Sequence, residues 1–208
     1  PSSREQGTTH IASHDREGNL VCATPSGGSF GKSVFLPALG FALRHPERIT
    51  ALIVESSSAG LHDDERPARI ASDRALATRL ETDGLKAFVD YWQSIPLWES
   101  QQKTLSAGVR RRLRAERMSQ RVDGLAASLR GAGAGCDPAI TERLTELHTP
   151  SLLISGELDR KYCEAAAILH QGIVGSRWAV IPGAGHASHI EQPEAFRNTG
   201  ATFLDAQK

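Results

Sequence analysis

Beyond residue 37 the apolar positions fall into short solid runs that alternate with longer amphipathic stretches. Ala38, Leu39, Phe41, Ala42 and Leu43 form a helix-forming segment that Arg44-His45-Pro46 closes, because a proline pushes the residue before it out of helical backbone. Ile49 to Val54 is β-branched and almost wholly apolar, the look of a parallel strand covered on both faces, and Glu55-Ser-Ser-Ser-Ala-Gly60 ends it as a loop. Residues 63 to 145 are rich in Ala, Leu, Arg and Glu, with breaks at Pro67, Gly84, Pro96, Gly108, Gly124 and Gly131 to Gly135, which predicts four or five helices. Asp137-Pro138 supplies an N-cap and a first-turn proline for a helix over Ala139 to Leu147, and Thr149-Pro150 stops it. A buried strand at Ser151 to Ser155, a helix at Cys163 to Gln171, a strand at Trp178 to Ile181, a glycine-rich turn and a helix from Pro193 to Asp205 complete the series.

Strands separated by helices pair in parallel through right-handed crossovers, so the fold class is α/β, with a parallel sheet flanked by helices on both faces. The helical stretch between the strands near 52 and 153 is too long for one crossover and is expected to stand over the strand ends as a cap. The organisation is then an atypical segment at 1–37, whose one apolar run, Leu20 to Ala23, predicts a short strand; a core at 38–62 and 148–208; and a cap at 63–147.

Charge narrows the function. Lys and Arg number 24 and Asp and Glu 24, so nothing is left over to neutralise phosphates, and nucleic acid is excluded as a partner on this balance. No apolar run approaches a membrane span, and the first residues lack an apolar signal region, which points to the cytoplasm. Cys22, Cys136 and Cys163 show no Cys-x-x-Cys spacing, so neither a disulfide framework nor a zinc site is expected, and a reducing compartment fits. Arg110 to Arg112, with Arg114 and Arg117, reads as a solvated helix face.

In open parallel sheets ligands sit beyond the carboxyl ends of the strands. Gly156-Glu-Leu-Asp159 places a carboxylate just past one strand, and Pro182-Gly-Ala-Gly-His186 places an imidazole in a tight turn at the end of the next. Such an acid can fix the histidine tautomer, leaving the other ring nitrogen as a base. Asp159 also fits a plain turn or strand-end role, and His189 reads as a surface residue. Cys163 follows a strand end without an adjacent base and reads as packing.

The segments Phe41 to Ile49, Leu52 to Leu61, Ser155 to Asp159 and Pro182 to His186 together resemble an α/β-hydrolase. Asp90-Tyr-Trp-Gln-Ser-Ile-Pro-Leu97 and Gly124-Leu-Ala-Ala-Ser-Leu-Arg-Gly131 are similar, more narrowly, to the cap of the 2-succinyl-6-hydroxy-2,4-cyclohexadiene-1-carboxylate synthases of menaquinone biosynthesis, over about 38–208. The resemblance implies a lyase that eliminates pyruvate through a Ser-His-Asp triad acting as base, on a small carboxylate substrate and without a cofactor or metal. It also implies Asp159 and His186 as triad members, Arg130 as a substrate-binding arginine and Trp92 as a pocket residue, although aromatics at the spacing of Trp92 and Trp98 fit a cap core equally. Arg66 and Arg69 fall near another place where the family uses cations.

The family's nucleophile motif, Gly-x-Ser-x-Gly-Gly before the helix that ends in the histidine-proline pair, does not occur here. Ser33, in Gly31-Lys-Ser-Val-Phe35, falls about where that serine belongs, and Ser26, in Pro25-Ser-Gly-Gly28, has the glycines but lies further upstream. Ser33 is preferred. The codons compatible with Cys22 to Gly28 also permit, in a shifted frame, a Cys-or-Arg, His, Ser, aliphatic, Gly, Gly peptide, which would be an elbow. The remaining possibilities are an esterase or carbon-carbon bond hydrolase of the same fold, and an inactive chain lacking a proper nucleophile.

Overall fold

The computed structural model describes Ile11–His14, Leu20–Ala23, residues 38–136 and residues 139–207. Ser26, Ser33 and the Asp137-Pro138 pair lie outside the described residues. β1 (Ile11–His14) pairs antiparallel with β2 (Leu20–Ala23), with Ile11 opposite Ala23. β2 coincides with the expected strand, whereas β1 carries one large aliphatic residue and no apolar alternation by which to find it.

α1 (Ala38–Arg44) leads to β3 (Leu52–Glu55), which pairs in parallel with β4 (Ser151–Gly156), itself paired in parallel with β5 (Arg177–Ile181). The expected parallel sheet is thus present in the order β3-β4-β5. β3 begins at Leu52 rather than Ile49, because Pro46–Arg48 forms a tight turn that takes up the Ile49 N–H (3.2 Å to the Pro46 carbonyl). The ladder opens one step later, where the Leu52 N–H meets the carbonyl of Pro150 at 2.8 Å.

Alternate residues of the strands feed two cores, as the two-residue period of a strand requires. Leu52, Val54 and Leu153 face Leu39 and Ala42 of α1 and Leu169 of α6 (Arg160–Gly172). Leu152, Ile154 and Ile181 face Phe203 of α8 (Pro193–Asp205), which follows the short α7 (Ser188–Glu191). Helices therefore cover both faces, and the strand tips open between the two layers.

The helical block consists of α2 (Arg66–Ser94), α3 (Glu99–Thr104), α4 (Ala107–Met118) and α5 (Val122–Gly131). Gly84, with φ 82° and ψ 167°, interrupts α2, so its two parts make the expected count of helices. The block has its own core, in which Ala77, Leu80, Phe88 and Val89 of α2 meet Leu125 and Ala126 of α5. The helix expected over Ala139 to Leu147 is instead a 3₁₀ helix, Thr141–Glu146, closed by the Arg143 N–H to Ile140 carbonyl bond at 2.9 Å and the Leu147 N–H to Leu144 carbonyl bond at 3.1 Å. The tighter winding suits a short connector. It drives Leu144 into the core against Gly172, where a Cβ would come within 2.6 Å of the leucine. No helix among the described residues is long and apolar enough to cross a membrane.

Candidate functional site

Neighbouring strand tips deliver the expected acid and histidine to one another: His186 Nδ1 and Asp159 Oδ2 are 2.7 Å apart, and both side chains are buried. The two readings of Asp159 hold together. Its Oδ1 accepts the Tyr162 N–H at 3.4 Å and caps α6, which begins at Arg160 rather than Cys163 for this reason, while Oδ2 takes the imidazole. One carboxylate thus serves both the helix cap and the imidazole. With Nδ1–H directed to Asp159, Nε2 is the basic nitrogen.

The turn that carries His186 is fastened on several sides. The Leu158 N–H donates to the Ala184 carbonyl at 2.8 Å, and the Gly183 N–H to Glu157 at 2.8 Å. Gly183, at φ 66°, supplies a left-handed turn position. Gly156 at the tip of β4 lies so close to the turn that a Cβ there would sit 2.1 Å from the Gly185 carbonyl oxygen.

A second buried acid joins the turn to β3. Glu55 accepts from Ser188 Oγ at 2.5 Å, from the His189 N–H at 3.0 Å and from His189 Nδ1 at 2.7 Å. His189 is therefore not the surface residue expected from sequence; its side chain is 18% exposed and held by a carboxylate that is 3% exposed. Burial pushes Glu55 upward, but hydrogen bonds and charge from His189, with the bond from Ser188, outweigh it and hold Glu55 below its usual 4.5. The unfolded chain thus takes up this proton more readily than the folded one. The contribution to stability is present in full above the unfolded value and is lost as pH falls through the lower folded value. Glu55→Gln is expected to flatten the acid limb of a Tm-against-pH curve below about pH 5; an unchanged limb would remove Glu55 as its source.

Above the pair, Trp98 sits edge-on to His186 (centroids 5.3 Å apart) and Tyr162 packs beside it at 4.5 Å. Trp92 stacks on Phe88 at 5.9 Å and meets Trp98 at 6.4 Å, so in its ring contacts it reaches the histidine only through Trp98. Arg130 does not approach the pair through any of its hydrogen bonds: its fork grips Glu81, with Nη1 at 2.6 Å and Nη2 at 2.5 Å, on the exposed side of α2 and α5. Arg66 is spent on Asp63 and on the Gly135 and Cys136 carbonyls, and Arg69 on Asp73.

A cation beside the site is Arg117, which the sequence placed on a solvated face. Its guanidinium lies 5.4 Å from the centre of the Trp98 ring, and burial pulls its pKa down, partly offset by Glu116. Together they line a cavity of about 320 Å³ between α3 and α4, beside Arg111 and Gln101. Three acceptors on its wall are already engaged: Gln93 Oε1 by Arg114, Gln101 Oε1 by Arg117 and the Gln102 carbonyl by Arg110. The buried Trp98 Nε1 and Gln101 Nε2 have no hydrogen-bond partner among the described residues. Arg110, Arg111, Arg114 and Arg117 give the cavity a cationic wall, which suits an anion.

No family model matches the chain. A Bacillus subtilis (strain 168) protein provisionally named 2-succinyl-6-hydroxy-2,4-cyclohexadiene-1-carboxylate synthase is 44% identical over 168 residues, 80% of this chain and 61% of the relative. Among solved structures, MenH from S. aureus superposes with a TM-score of 0.79 at 32% identity, over 82% of this chain and 64% of that one. A thermophilic esterase from Thermogutta terrifontis gives 0.70 at 26% identity, over 82% of this chain and 61% of its own. The chain has part of the α/β-hydrolase fold. It spans about three fifths of the length of the Bacillus subtilis relative. In α/β-hydrolases the acid follows the nucleophile and the histidine comes last, the order in which Asp159 and His186 stand.

Proposed function

We propose that this α/β-hydrolase chain carries the acid, the base and the cap of a cytoplasmic lyase that eliminates pyruvate from the succinyl-cyclohexene carboxylate intermediate of menaquinone biosynthesis. The observation that carries the reading is the buried 2.7 Å hydrogen bond between Asp159 and His186 at adjoining strand tips, roofed by Trp98. In this reading Asp159 holds the Nδ1–H tautomer and Nε2 takes the proton of the nucleophilic serine, for which Ser33 is preferred over Ser26. The serine oxygen then removes a proton from the substrate carbon; the electron pair of that C–H bond forms a carbon–carbon double bond as the bond to the leaving enolpyruvate breaks, and the proton on Nε2 passes to the leaving group, which is released as pyruvate. The helical block is the cap, and its donor-rich cavity holds a substrate carboxylate. Arg117, already stacked on Trp98, fits that task as the structure stands; Arg130 would first have to release Glu81. Trp92 supports Trp98 from behind. Cys136 and Cys163 are free thiols, in keeping with a reducing compartment.

The same pair would serve an esterase, a reading favoured by the likeness to the thermophilic esterase. Steady-state assays separate the two: pyruvate release from the menaquinone intermediate, against hydrolysis of p-nitrophenyl esters. Ser33→Ala is expected to abolish whichever activity is present, and Ser26→Ala to leave it. Arg117→Ala is expected to raise KM by about tenfold, as loss of a charged hydrogen bond worth about 1.5 kcal/mol or more would. Ester cleavage without pyruvate release would overturn the lyase, and loss of neither activity in Ser33→Ala would overturn the assignment of the serine.

A further inference from the structure

Glu191, the last residue of α7, is 6% exposed and belongs to neither the triad nor the carboxylate-binding cavity. Its Oε2 accepts the Gly185 N–H at 3.0 Å and its Oε1 the Ala187 N–H at 3.4 Å, so one side chain gathers the backbone donors on either side of His186. The Thr104 hydroxyl, at the end of α3 in the helical block, lies 3.2 Å from the same Oε2 and 2.9 Å from the Ser100 carbonyl, and shares its one proton between them. A second contact follows the same line: a Cβ at Gly185 would stand 1.9 Å from Ser100 Oγ, also of α3, so the block rests directly on the turn.

We propose that Glu191 is a positioning residue for the base, and that it couples the seating of α3 to the aim of the imidazole. Glu191 holds the Ala187 N–H, in the peptide plane that follows His186, and the Gly185 N–H, one plane removed before it, so it restrains the turn on both sides of the ring. Buried N–H groups without an acceptor are costly, so loss of the carboxylate leaves the turn to find new partners and rotates the ring away from Asp159. Thr104 extends this control to the block: when α3 lifts, Glu191 loses a donor, and the turn loses a restraint just where substrate would enter.

The inference rests on the reading of His186 as a base, and the test keeps the two apart by using a readout that needs no turnover. Long-range ¹H–¹⁵N correlation spectra report the ring tautomer of His186. The chain is expected to show Nδ1–H alone, Glu191→Ala a mixture, and Thr104→Val a smaller shift in the same direction. In the assay that proves active, Glu191→Ala is expected to lower kcat on the order of 10²-fold, as misplacement of about 1 Å does, with KM within about twofold. Thr104→Val is expected to lower kcat about tenfold, and Glu191→Gln to recover part of the loss by restoring one acceptor. Ring signals and kcat at wild-type values in both Glu191→Ala and Thr104→Val would overturn the proposal. Thr104→Val, at an exposed position, decides alone where Glu191→Ala does not fold. Absence of lyase and esterase activity with the ring signals shifting as stated would overturn the catalytic reading and leave the positioning role standing.

Discussion

Asp159→Asn is expected to lower kcat on the order of 10⁴-fold while the chain stays folded. The aspartate performs two jobs with two oxygens, and asparagine separates them. As a helix cap, asparagine is about as good as aspartate, so the Tyr162 N–H keeps its acceptor and α6 keeps its start. As a partner to the imidazole, an amide nitrogen presented to Nδ1 favours the opposite tautomer, with the proton on Nε2, where it blocks proton uptake. Asp159→Ala would lose the cap as well, at a further cost of about 1 kcal/mol in stability. Turnover measured beside a thermal melt distinguishes the cases. Asp159→Asn with wild-type turnover would mean that the 2.7 Å bond is structural and that the base lies elsewhere.

Gly156→Ala is the second large effect, and it falls on stability. The added methyl would stand 2.1 Å from the Gly185 carbonyl oxygen and 2.4 Å from that of Ala184, both backbone atoms of the turn that carries His186. Neither can swing aside as a side-chain tip would, so β4 and the turn must separate. That costs about 3 kcal/mol, at the upper end of overpacking, and opens the gap between Asp159 and His186 at the same time. Gly131→Ala is the control: nothing lies within 4 Å of its Cβ, and its stability is expected to stay near wild type or rise slightly. Urea unfolding of both variants tests the difference. A Gly156→Ala chain within about 1 kcal/mol of wild type would show that the turn is not pinned to β4.

Much of this was legible in the chain. Pro193–Asp205 begins where the pattern begins it, because Pro193 sits where a helix tolerates proline, in its first turn. The strands β4 and β5 were readable because short apolar runs stop abruptly at Ser155-Gly156 and at Pro182-Gly183. The acid and the histidine were readable because the residues just past parallel strands face the ligand side of such a sheet. Glu55 ends β3 in the same manner and could have been flagged by the same argument; its partners His189 and Ser188 lie more than 130 residues away, where periodicity carries no information. The burial of Arg117 and the ion pair of Arg130 were not legible for a related reason. Nothing local distinguishes the arginine that stacks on Trp98 from its neighbours in α4, and nothing local shows that Glu81, 49 residues upstream, occupies the fork of Arg130. The 3₁₀ connector at Thr141–Glu146 was missed because its composition is that of an ordinary helix, and its winding is decided by the space beside Gly172.

The turn around His186 is tied at once to β3 through Glu55, to β4 through Leu158 and to α3 through Glu191 and Thr104. Segments so anchored open only with the elements that anchor them, so the amides of Gly185 and His189 should exchange with deuterium nearly as slowly as those of the central strand. On the proposed reading the proton acceptor is then a fixed post, and entry and exit are timed by what lies above it.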